Sequence, residues 1–78
     1  MLKIGSSGQS VRDLQETLNL VVPLSPLLIV DGLFGPRTSG RVVMFQKQAG
    51  LIADGIVGPK TGKALVGGAL TQLGIRQT

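Results

Sequence analysis

The chain has 78 residues, with eight Lys and Arg against four Asp and Glu, twelve Gly, and no Cys, His, Trp or Tyr. Without His or Cys it has no Ser-His relay, thiolate nucleophile, zinc finger, haem or iron–sulfur ligation of its own. The formal charge of +4 favours polyanionic partners such as nucleic acid, an anionic wall polymer or a membrane surface, and does not choose among them.

The four acids, Asp13, Glu16, Asp31 and Asp54, make no dense acidic run of the calcium-loop kind. Neither a metal nor a cofactor is therefore expected. A chain this short is expected to form one domain over residues 1–78, its core in 3–66 and a terminal turn and tail in 67–78. It has no disulfide staple, so the core alone must hold it and either redox compartment is open. Met1 to Gly5 lack the apolar run of about 7–15 residues that defines a secretory signal. The longest apolar stretch, Leu20 to Val30, is broken by Pro23, Ser25 and Pro26 and is too short to cross a bilayer. The expectation is a soluble monomer without membrane insertion.

The first predicted helix runs from Ser7 to Asn19. Ser6 and Ser7 offer caps, and Val11, Leu14 and Leu18 make one apolar stripe. Arg12, Asp13, Gln15 and Glu16 are then read as a solvated face. From Leu20 to Val30 the prolines forbid a continuous helix. A packed extended loop is expected there, with a short β-bridge near Ile29 or Val30.

The most informative feature is an internal repeat. Asp31-Gly32-Leu33-Phe34-Gly35-Pro36-Arg37-Thr38 returns 23 residues later as Asp54-Gly55-Ile56-Val57-Gly58-Pro59-Lys60-Thr61, with five of eight positions identical. Asp-Gly is a turn pair whose carboxylate can accept from backbone N–H groups just ahead, and Gly tolerates positive φ. An apolar pair should then enter the core. Gly-Pro starts a helix, with Gly at the N-cap and Pro at the first helical position, where its missing N–H costs nothing. Thr follows in the first turn, free to bond locally or reach the Asp.

The second predicted helix accordingly runs from Pro36 to Ala49, with Gly50 as its stop. At about 100° per residue, Thr38, Val42, Phe45, Gln46 and Ala49 share the face that meets the core. Arg37, Arg41 and Met44 fall on another, a basic patch around a thioether of the kind contact sites show. The third helix begins at Pro59 with Ala64 and Leu65 inward. Gly67 and Gly68 weaken its continuation by about 1 kcal/mol each, and Leu70 and Leu73 could add a frayed turn. The two aromatics, Phe34 and Phe45, are expected in the core.

Gly5-Ser6-Ser7-Gly8-Gln9-Ser10-Val11-Arg12-Asp13-Leu14-Gln15-Glu16-Thr17-Leu18, both Asp-Gly-x-x-Gly-Pro-x-Thr units, Val42-x-x-Phe45-Gln46-x-x-x-Gly50-Leu51 and Ala64-Leu65 follow one another in this order. Together they resemble the small three-helix peptidoglycan-binding domains over residues 3 to 66. The resemblance implies an all-α, compact three-helix bundle. It implies a non-catalytic module that targets an associated wall-degrading or wall-modifying enzyme, as in endolysins, to its polymer. It places the chain in the bacterial envelope, periplasm or extracellular wall, or in a phage lysis protein made in the cytoplasm.

Three positions depart from the family pattern: Ser6 stands where Asp is common, Arg41 where a small Ala is usual, and Gly62 where a Trp or other bulky residue often follows. Without an exposed aromatic for sugar stacking, recognition is expected to rest on cation-to-carboxylate bonds from Arg37, Arg41, Lys60 and Lys63. Thr38, Gln46 and Thr61 are the expected neutral contacts. Asp31, Gly32, Gly35 and Pro36, with Asp54, Gly55, Gly58 and Pro59, are read as structural.

Two other readings compete. A protein-interaction or assembly module could use the same scaffold, with the Met44 patch as its contact. A basic helical DNA-binding domain fits less well, since residues 50–58 are too long a connection for a helix-turn-helix and no helix carries a row of base-reading side chains. An enzyme is not expected, since no nucleophile has a base beside it in any motif.

Overall fold

The structure is a computed structural model and describes residues 1–72, with side chains to residue 70. Three helices follow one another: α1, Gln9–Val21; α2, Pro36–Gln48; and α3, Pro59–Gln72. They form a three-helix bundle in which α1 packs against both α2 and α3. None is long and apolar enough to cross a membrane, among the described residues.

The stripe of α1 does what its spacing requires. Val11, Leu14 and Leu18 are buried together with Val22, Leu28, Phe34, Val42, Phe45 and Leu65, and Leu2, Val21, Val57 and Ala64 pack against that cluster. Each large side chain taken fully from water contributes about 1.5–3 kcal/mol, so α1, with three such residues, is the helix the others are assembled on.

Helix starts and stops follow backbone chemistry more than side-chain caps. α1 begins two residues later than expected, with Gly8 at its N-cap and no side-chain cap bond. Ser6, expected as a cap, instead accepts the Lys3 N–H at Oγ (3.1 Å). α2 has Gly35 at the N-cap and Pro36 in its first turn, as the Gly-Pro reading requires. At its far end Gly50 takes φ +71°, and Leu51 N–H reaches back to the Gln46 carbonyl at 2.8 Å. This is a Schellman closure, which is why the helix stops there.

The N-terminal stretch ties the two repeat units together. Leu2 pairs antiparallel with Val57, and Ser7 with Leu33. Gly5 N–H donates to the Phe34 carbonyl, Phe34 N–H to that of Ser6, and Gly8 N–H to that of Gly32. The expected bridge near Ile29 or Val30 therefore lies at Leu33. This pairing also splits the apolar pair of the first unit. Phe34 is buried while Leu33 is 62% exposed, because successive side chains on extended backbone point opposite ways. Ile56 and Val57 are both half-buried.

Residues 22–30 are less packed than expected. Val22 and Leu28 are buried, but Leu24, Leu27, Ile29 and Val30 are exposed. The segment, which contains a cis Ser25–Pro26 bond, is held by polar bonds. Asn19 accepts the Leu28 N–H at Oδ1 (2.8 Å) and donates from Nδ2 to the Leu28 carbonyl (3.0 Å), closing the loop as a strand partner would. Helix α3 runs through Gly67 and Gly68. A Cβ on Gly68 would lie 3.1 Å from Val21 Cγ1, so the missing side chain lets α3 approach α1. Leu73 lies outside the described residues.

Candidate functional site

Two buried glutamines organise the two repeat units. Gln15 and Gln46 are each 1% exposed. The Oε1 of Gln15 accepts the Gly32 N–H at 3.0 Å. Its Nε2 faces Asp31 Oδ1 (3.1 Å), the Leu33 carbonyl (3.0 Å) and Thr38 Oγ1 (3.2 Å). Gln46 repeats the arrangement: Oε1 accepts Gly55 N–H at 3.0 Å, and Nε2 faces Asp54 Oδ1 (3.1 Å), the Ile56 carbonyl (3.0 Å) and Thr61 Oγ1 (3.1 Å). An amide nitrogen has two hydrogens, so each glutamine shares one N–H between two of three acceptors.

This arrangement corrects one reading and bears on another. Gln15, read as water-facing, lies four residues after Val11 and three before Leu18, on the edge of the buried stripe. Thr38, Gln46 and Thr61, expected as neutral ligand contacts, are 3%, 1% and 5% exposed and spend their polar atoms inside the chain. Thr38 and Thr61 meet a glutamine amide rather than the aspartate of their own unit.

The aspartates close the turns as expected. Leu33 N–H donates to Asp31 Oδ1, and Ile56 N–H to Asp54 Oδ1, both at 2.9 Å. These backbone bonds, then the glutamine amides, hold both carboxyls below their ordinary value of 3.8. Both bonds of each carboxylate fall on Oδ1, and both aspartates are exposed.

The cations separate into two groups. Arg37, Lys60 and Lys63 are exposed. Arg41 is half-buried, and its guanidinium donates from Nη1 to the Leu24 carbonyl (3.1 Å) and from Nη2 to that of Pro26. The expected Arg37–Arg41–Met44 patch therefore loses its middle member to the loop.

A cleft opens beside each repeat unit. The first, of ≈ 220 Å³, lies at the start of α2 between Leu28 and Ile29 on one side and Asp31, Pro36 and Arg37 on the other. The second, of ≈ 530 Å³, lies at the start of α3 between Leu51 and Ile52 on one side and Asp54, Pro59 and Lys60 on the other, with Met1 at its edge. The walls extend the repeat upstream: Leu28-Ile29 before the first aspartate corresponds to Leu51-Ile52 before the second. That identity is legible in the sequence, but only the clefts give it a purpose.

A family model described as "Putative peptidoglycan binding domain" matches residues 7–65. No curated protein and no solved structure matches the chain. The family match spans α1, both glutamine-clamped turns, α2 and the start of α3, so the chain belongs to the peptidoglycan-binding domain family.

Proposed function

We propose that this chain is a non-catalytic module that holds peptidoglycan while an associated wall-degrading or wall-modifying enzyme acts on it. The observation that carries this reading is the pair of open clefts flanked by unengaged cations: the side chains of Arg37 and Lys60 form no hydrogen bond or ion pair with any described residue. Peptidoglycan offers sugar hydroxyls and acetamides, and carboxylates on its stem peptide. Exposed cations suit the carboxylates, and with Phe34 and Phe45 buried no ring is available for sugar stacking. Arg37, Lys60 and Lys63 are the side chains assigned to the polymer. Thr38, Gln46 and Thr61 serve it by fixing the turns that bear those cations. The role places the module at the bacterial wall, and tethering raises the local concentration of a fused or associated enzyme without chemistry of its own.

Sedimentation with insoluble sacculi tests the reading. The wild type pellets with them, and an Arg37→Ala, Lys60→Ala, Lys63→Ala variant stays in solution. A wild type that stays in solution overturns the function, and a variant that pellets equally overturns the residue assignment. Fusion to a wall hydrolase should accelerate cleavage of sacculi but not of soluble fragments.

A second reading has its own observation. Leu20, Leu24, Leu27 and Leu33 are 40–62% exposed along one segment, an apolar strip that fits a protein-interaction or assembly module. Failure to pellet with sacculi, together with stable co-purification with a wall enzyme that is lost in a Leu24→Ser, Leu27→Ser variant, would favour it. The connection 49–58 between α2 and α3 is too long for a helix-turn-helix and argues against DNA.

A further inference from the structure

Eight residues lining the first cleft have counterparts 23 positions later lining the second. The correspondence covers the chemistry as well as the frame. Asp31 matches Asp54 as a fixed, exposed carboxylate, and Arg37 matches Lys60 as a free cation. Ile29 matches Ile52, and these isoleucines are 73% and 84% exposed. A large aliphatic residue standing almost fully in water gives nothing to the core, and here the same residue type does so at the same place in both units. A turn needs neither isoleucine nor the open cleft beside it.

We propose that the chain carries two corresponding binding clefts, each taking one short amphoteric peptide segment, and so grips its polymer at two points. Within each cleft the cation receives a carboxylate of the ligand, the aspartate receives its ammonium or amide N–H, and the isoleucine packs on a small aliphatic side chain. Opposite charges on one cleft select a ligand bearing both signs, which a neutral glycan lacks and a stem peptide has. This inference rests on the peptidoglycan-binding reading and adds to it the part of the polymer read and the number of sites. Two linked weak sites convert the second contact into an intramolecular one, which raises affinity for a repeating polymer by about 10²–10⁴ without a new kind of contact.

The test is a titration of the intact chain, followed residue by residue through its backbone amide NMR signals. The probes are monomeric muropeptides released from sacculi by muramidase and di-N-acetylchitobiose, a neutral disaccharide with the same acetamido sugars but no lactyl carboxylate and no peptide. With the muropeptide, amides of 29–38 and of 52–61 both shift and saturate at two ligands per chain; the peptide-free disaccharide moves neither set. Arg37→Ala silences only the first set and Lys60→Ala only the second, and either lowers affinity for sacculi at least 10-fold. Ile29→Ser and Ile52→Ser, at exposed positions outside the helices, repeat the pattern without touching a charge. Binding to sacculi with one responding set, or equal response to the disaccharide, overturns this inference and leaves peptidoglycan binding intact. No response to either probe and no binding to sacculi overturns both.

Discussion

Gln46 Nε2 lies 3.1 Å from Oδ1 of Asp54, bridging from the last turn of α2 to the turn that launches α3, as Gln15 does from α1 to the turn that launches α2. Each helix thus places the start of the next. The same amide groups satisfy a turn N–H, a turn carbonyl and a threonine hydroxyl, so one buried side chain closes four contacts at the base of an exposed turn.

Replacing Gln46 by Met keeps roughly the volume and orphans the Gly55 N–H and the Ile56 carbonyl. Each buried polar group left unpaired costs about 1–3 kcal/mol, and the Ile56 carbonyl, only part-buried, stands at the low end, so a loss of about 2–4 kcal/mol is expected. For a domain of this size that corresponds to a fall in Tm of roughly 10–25 °C, measurable by circular dichroism. Gln46→Glu should be worse at neutral pH, because a carboxylate cannot donate and would face Asp54. It should recover partly on mild acidification, when the new carboxyl protonates, whereas Gln46→Met should not.

Asp31 and Asp54 should contribute to the acid limb of unfolding. Both carboxyls titrate lower in the folded chain than their ordinary 3.8, through the N–H groups of Leu33 and Ile56 and the two glutamine amides. A lowered folded value stabilises the chain above the unfolded value, and that stabilisation is lost as pH falls below about 4. Urea midpoints measured from pH 6 to pH 2.5 should therefore drop over the lower part of the range. An Asp31→Asn, Asp54→Asn variant keeps both Oδ1 acceptors, so it should lose less at pH 6 than the glutamine variants and show a flatter acid limb.

How much of this was legible in the sequence varies with the kind of interaction. The three helices, the Gly-Pro starts, the Gly50 stop and the Asp-Gly turns follow from local backbone chemistry, which a short window contains. Gln15 and Asn19 were not legible in the same way. Each acts on a partner more than eight residues away, and a polar side chain on a helix flank reads as solvated until the turn it clamps is known. Arg41 misled for the same reason, since its partners are the carbonyls of Leu24 and Pro26 and carry no side-chain signature. The recurrence of an apolar–Gln pair, Leu14-Gln15 and Phe45-Gln46, ahead of each Asp-Gly was the available signal for the clamps.

The glycines divide into ones the fold requires and ones it tolerates. Gly32 and Gly55 sit at φ +76° and +75°, where a Cβ would lie 3.1 Å from Arg12 Nε and 2.9 Å from Ser39 Oγ. Gly32→Ala and Gly55→Ala should each cost about 1–3 kcal/mol from backbone strain and crowding together. Gly40, exposed within α2, has open space where a Cβ would stand, so Gly40→Ala should stabilise by about 0.4–1 kcal/mol. Thermal unfolding of the three variants tests the division, and a stabilising Gly55→Ala would contradict the turn geometry.

Arg41 makes the final case, because its two roles predict different outcomes. Its guanidinium donates to the Leu24 and Pro26 carbonyls from α2, a planar fork spanning two acceptors that an ammonium reproduces poorly. Arg41→Ala should lose about 0.5–1.5 kcal/mol per hydrogen bond removed, and Arg41→Lys should recover less than half of that. Amide hydrogen exchange should quicken most in residues 24–28, with Leu28 still slowed by its bond to Asn19. Sedimentation with sacculi should be unchanged in Arg41→Ala, because the group is committed to the loop. A large loss of sacculus binding with no change in loop exchange would return Arg41 to the ligand and take it from the fold.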